Sequence, residues 1–118
     1  MARLDVADRP NSRFERFTRY GHYLSSLPMP SGSLPCDINY LDQQISVVPA
    51  LEGPDKKKGA PIYILENEKL VSTIMIKEDL GLPNFIHIHN AAIRKIGVKF
   101  YIFALAWSPG DFAVLEQV

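Results

Sequence analysis

Cysteine is nearly missing from this sequence: Cys36 is the only one among 118 residues. No disulfide can form within the chain, so a reducing, cytoplasmic setting is expected. Net charge is missing too, because 13 Lys and Arg balance 13 Asp and Glu. A neutral chain has no overall field to gather nucleic acid or an anionic membrane, and either partner would need a local patch. No stretch approaches the roughly 18 consecutive apolar residues of a spanning helix. The first ten residues carry Arg3, Asp5, Asp8 and Arg9 and no apolar segment, so no signal peptide and no membrane contact are expected. A glycine-rich phosphate loop and a nucleophile elbow are also lacking. Internal repeats and low-complexity tracts are absent.

What is present is ordinary for a globular chain, 47% apolar and 22% charged residues. A chain of this size can bury one core without disulfides or metal. The most apolar part is the C-terminal third. Residues 98–107 read Val-Lys-Phe-Tyr-Ile-Phe-Ala-Leu-Ala-Trp, with Lys99 the one charge. Odd and even positions are both apolar, and the residue types favour a strand, so a central strand buried on both faces is expected. Ser108-Pro109-Gly110-Asp111 is turn chemistry, and residues 112–118 read as a last strand.

Toward the N-terminus, residues 1–11 read as a flexible tail, leaving 12–118 as a single domain. Ser12-Arg13-Phe14-Glu15 matches a capping box, and Phe14, Phe17, Gly21 and Leu24 share one side of the helix that would follow. Pro28 and Pro30 would end it. Residues 44–48, 61–65 and 70–76 read as strands, and 36–41 as a short edge strand. Glu66-Asn67-Glu68-Lys69 is a hairpin turn with Asn67 suited to positive φ. Residues 77–83 read as a loop or one helical turn. Residues 90–97 fit either a short helix capped by Asn90 or a hairpin turning at Gly97. The expected class is α+β, an N-terminal helix packed on a mostly antiparallel sheet or small β-barrel of roughly six or seven short strands.

Two sets of residues stand out as candidate binding residues. On a strand, Phe85, His87 and His89 project to one face and Ile86 and Ile88 to the other, the presumed core side. Paired imidazoles can be half of a metal site. With Gly81 they also fit the opening of the first cupin motif, but Ile93 and Arg94 stand where its glutamate falls, and no histidine follows His89. Two ligands are too few for a stable centre, so no metal and no cofactor are expected. Arg13, Arg16 and Arg19 recur at three-residue spacing among Phe14, Phe17, Tyr20 and Tyr23. That pattern can grip phosphates and stack bases, or it can be the solvated side of an amphipathic helix. Cys36 lies beside Asp37, which disfavours a thiolate.

No catalytic residue emerges. The chain reads as a non-catalytic binding or assembly module acting through protein–protein contacts or self-association, with a homodimer joined through a sheet edge or the N-terminal helix. A nucleic-acid-binding barrel that uses the arginine-rich helix is the first alternative. A small metal-dependent enzyme that uses His87 and His89 is the second.

Overall fold

The computed structural model describes residues 3–118. Among them are ten strands, one short 3-10 turn and one five-residue helix. The chain is mainly β, and the expected α+β arrangement, with a helix packed on a sheet or barrel, is not formed.

The correction begins at Ser12. A capping serine sits in extended backbone and bonds forward to its own helix. Here Ser12 is left-handed, at φ 53° and ψ 49°. Its hydroxyl donates to Ser33 O at 2.6 Å and accepts from Gly32 N–H at 3.1 Å. Its own N–H goes to Arg9 O, and the Glu15 carboxylate turns to Arg13 Nε at 2.6 Å. Both halves of the capping box are thus used elsewhere. The segment forms β2 (Arg13–Thr18) and β3 (Tyr23–Pro28). Their turn is held by Thr18 Oγ1, which accepts from the N–H groups of Tyr20 and His22, and by Gly21 at φ 88°. β1 (Arg3–Asp8) pairs with β2 where a loose tail was expected, with Ala7 opposite Phe14 and Asp5 opposite Arg16. Met1 and Ala2, assigned to the same tail, lie outside the described residues.

A second antiparallel sheet runs in the order β4 (Asn39–Tyr40), β5 (Ile45–Pro49), β6 (Pro61–Glu66), β7 (Lys69–Met75). The β6–β7 turn uses Asn67 and Glu68 at φ 51° and 68°. Two successive positive φ values are the primed geometry that matches strand twist. One helical turn, α1 (Ile76–Leu80), then ends at left-handed Gly81. The third sheet is β10 (Asp111–Glu116), β9 (Lys99–Ala106), β8 (Ile88–Ile96), with β9 in the middle. Residues 90–97 are therefore strand and hairpin turn, not helix.

The three sheets stack in layers. Successive side chains of a strand point to opposite faces, and the middle sheet uses both. Val47 and Ile62 join Phe85, Ile88, Ile93 and Ile102 in one core, against the third sheet. Val48 and Tyr63, one residue along in each strand, join Phe14 and Leu27 in a second core, against the first sheet. β5 and β6 are thus the strands covered on both faces. The run 98–107, expected in that role, is only half covered: Ile102 and Ala104 are buried while Phe103 and Leu105 are exposed. A continuous apolar run marks a strand with two apolar faces; it does not supply a second layer of chain to cover both.

The loop from β5 to β6 passes close beneath Phe85. A Cβ on Gly59 would stand 2.7 Å from Phe85 O and 2.8 Å from Lys77 Cβ, neither of them the free end of a side chain. Gly59→Ala is expected to cost about 1–3 kcal/mol through overpacking. Urea melts check this, and an unchanged midpoint would show that the loop can move aside.

Candidate binding surface

The residues singled out in the sequence do not converge. Phe85 is fully buried in the core against the third sheet, and its carbonyl accepts from Ala60 N–H. It lies in the turn before β8, so strand alternation does not govern it, and the neighbouring Ile86 is the exposed one. Ile88 is buried as expected. A bulge falls between Ile88 and Asn90, which pair with Ala106 and Leu105 in turn. An extra residue on one strand breaks the alternation of sides, and that residue is His89. His89 Nε2 lies 3.5 Å from Arg9 Nη2, and its Nδ1 lies 3.2 Å from Asn90 Oδ1. A neutral ring protonated on Nδ1 would satisfy both contacts. His87 packs edge-on to Trp107 at 6.3 Å, with Nε2 3.8 Å from Glu52 Oε2. The two rings meet different partners. Among the described residues, no group of three or more His, Cys, Asp or Glu side chains is placed to hold a metal ion.

The three arginines are also dispersed, because the helix that would align them is not formed. Arg13 pairs with Asp8 and Glu15. Arg19 stacks on its neighbour Tyr20. Arg16 points inward from β2 and is almost completely buried. It meets Asp5 Oδ1 at 3.2 Å and Glu68 Oε2 at 2.8 Å, while Tyr40 donates to the other Asp5 oxygen at 2.8 Å. Burial alone would lower the Arg16 pKa, but the hydrogen bond and charge of Glu68 raise it overall. The hydrogen bond from Arg16 holds the Glu68 carboxyl below its ordinary range, against a smaller opposing effect of burial. This cluster closes one end of the contact between the first and middle sheets. Asp5 and Glu68 already pair with the guanidinium, whose Nη2 is left buried without a hydrogen-bond partner, so its charge is compensated and it is not a free anion site. Cys36 offers no nucleophile either, since burial pushes its thiol pKa up despite the opposing charge of Arg9.

The surface that does assemble was not singled out in the sequence. It is the outer face of the third sheet. The strand registers set three rows across it: Asn90–Leu105–Phe112, Ala92–Phe103–Val114, and Arg94–Tyr101–Glu116. Phe103, Leu105, Phe112 and Val114 are each between 39% and 71% exposed, and Trp107 just past β9 extends the patch. The polar row closes one end, where Tyr101 donates to Glu116 Oε2 at 2.7 Å. On the β8 side the small Ala92 and Asn90 leave a hollow of about 400 Å³, walled by Asp37 and Asn39 on one side and by Phe103, Leu105 and, beyond them on β10, Phe112 on the other. Such a face can exclude water against another apolar surface. Its signal was already in the sequence: once one face of β9 and β10 is assigned to the core, the alternate positions remain aromatic and aliphatic. No helix among the described residues is long and apolar enough to cross a membrane. Comparison of the chain with protein-family models, curated proteins and solved structures finds no match.

Proposed function

We propose that this chain is a non-catalytic binding module whose working surface is the outer face of the β8–β9–β10 sheet. One observation carries the reading: Phe103, Leu105, Phe112 and Val114 are neighbours in register and exposed together. Scattered surface apolar residues need no explanation, but a contiguous set on one face marks an interaction surface. The aromatic share fits the composition of interface centres. The assignment to the cytoplasm is supported by the lone cysteine.

The test uses a sample dilute enough that light scattering reports single chains. The wild type should then bind anilinonaphthalene sulfonate, with energy transfer from Trp107, the only tryptophan. Phe112→Glu should abolish most of this binding while shifting stability by no more than about 0.5 kcal/mol, because the side chain is exposed. Dye binding that is absent from the wild type, or unchanged in Phe112→Glu, would refute the assignment.

A further inference from the structure

We infer that the occupant of this face is a second copy of the chain, packed sheet to sheet across a twofold axis that runs along β9. The inference rests on the reading of the sheet face as the working surface. It starts from surface area. A compact monomer of this mass exposes about 6,450 Å², whereas this chain exposes 6999 Å². The surplus of roughly 550 Å² is of the order of the ~800 Å² that each partner contributes to a standard interface.

The choice of partner comes from the pattern on the face. A twofold along β9 keeps β9 over the partner's β9 and exchanges β8 with β10 row by row. Phe112, the most exposed of the large apolar side chains in those rows, then falls over the partner's Asn90, at the hollow that Asn90 and Ala92 leave on the β8 side. Val114 falls over the partner's Ala92, so a large residue again meets a small one. Phe103 and Leu105 meet their own counterparts at the axis. In the polar row Glu116 falls over the partner's Arg94, and the symmetry repeats that contact with opposite sign. Arg94 is exposed and braced by Asn39 Oδ1 and Ile93 O. Aligned sheets stack about 10 Å apart, a distance these side chains can fill. The interface is isologous, with each knob and each hollow used once, so assembly stops at two.

Other arrangements of the same two copies are worse. A twofold across the strands reverses the rows and lays Glu116 on the partner's Phe112, burying a carboxylate against an aromatic ring. Edge-to-edge pairing of β10 in its centred antiparallel register sets Asp111 opposite the partner's Glu116, two like charges. It also leaves the apolar face uncovered.

Charge exchange tests the axis directly, with dissociation constants read by sedimentation equilibrium. Arg94→Glu alone brings two carboxylates together at both symmetric contacts, and Glu116→Arg alone brings two guanidinium groups together. Each should weaken the dimer about tenfold or more. An equimolar mixture of the two variants should associate about as tightly as the wild type, because both contacts become attractive only in the mixed dimer. Ala92→Phe, which fills the hollow, should also weaken the wild-type dimer. Trp107 emission, red in dilute samples, should move to the blue as the wild type associates. A wild type that stays monomeric up to about 1 mM, yet binds the dye when dilute, would overturn the second copy and leave the binding face standing. A monomer that never binds the dye would end both. A dimer whose single variants are weakened but not rescued by mixing would overturn this axis.

Discussion

Phe85→Ala is expected to destabilise the chain by about 3–5 kcal/mol, while Ile86→Ala costs under about 1 kcal/mol. The adjacent positions differ because Phe85 is fully buried in the core between the middle and third sheets, whereas Ile86 is 40% exposed. Truncating a buried ring removes its transfer free energy and leaves a cavity lined by Ile62, Ile76 and Ile88 on rigid elements. The Phe85 backbone also bridges two loops, accepting from Ala60 N–H and donating to Leu82 O, each at 3.3 Å. Those loops are held by the cage around Gly59 and cannot easily collapse into the space. Guanidinium melts of the two variants decide the matter. Equal losses, or a larger loss at Ile86, would mean that the segment keeps strand alternation and that Phe85 belongs on the surface.

Arg16→Ala should cost about 3 kcal/mol at neutral pH, and Arg16→Met nearly as much. The second variant restores the apolar stem, so lost packing is not the cause. The cost is Asp5, whose side chain is 10% exposed: removal of the guanidinium leaves this nearly buried carboxylate with only Arg3 Nε at 3.3 Å and the Tyr40 hydroxyl as partners. Glu68 links the same cluster to pH. Its folded pKa lies below the ordinary range of a glutamate carboxyl, chiefly because Arg16 donates a hydrogen bond to it. The unfolded chain therefore binds this proton first as the pH falls. The stabilisation is complete above the ordinary carboxylate range and is lost as the pH drops through the lower folded value. In Arg16→Ala that acid-sensitive component should shrink to the smaller part that the charge of Arg3 supplies. Thermal melts between pH 7 and pH 3 check both parts. A loss under about 1 kcal/mol at pH 7, or an unchanged acid slope in the variant, would show that the pair is too solvated to matter.

The segment from Ser12 to Thr18 shows why some features were readable along the chain and others were not. Turns are local: Asn67 and Gly97 sit at positive φ, and a few residues suffice to demand it. The β6–β7 hairpin, the single turn of α1 and the strands at 45–49 and 99–106 follow from such signals together with residue type. Arg13-Phe14-Glu15-Arg16-Phe17-Thr18 is different. Read with period 3.6, its two phenylalanines share a helix side. Read with period 2, Phe14 faces inward together with a charged Arg16. The second reading is reasonable only when Asp5 and Glu68 wait for that charge, and they arrive from a strand before it and a turn about fifty residues after it.

The faces were decided by packing in the same way. Two apolar faces are written into β5, β6 and β9 alike. The stacking of layers covers both faces of β5 and β6 and leaves β9 on the outside, because its sheet is the last of three. Likewise the spacing of His87 and His89 is a local fact, but the bulge that separates their rings depends on how β8 aligns with β9. Local dihedral preference and residue type are properties of the chain alone. Which side is core, which charge is compensated and which apolar face is left open depend on what packs against what, and contacts between distant segments are not written at either one of them.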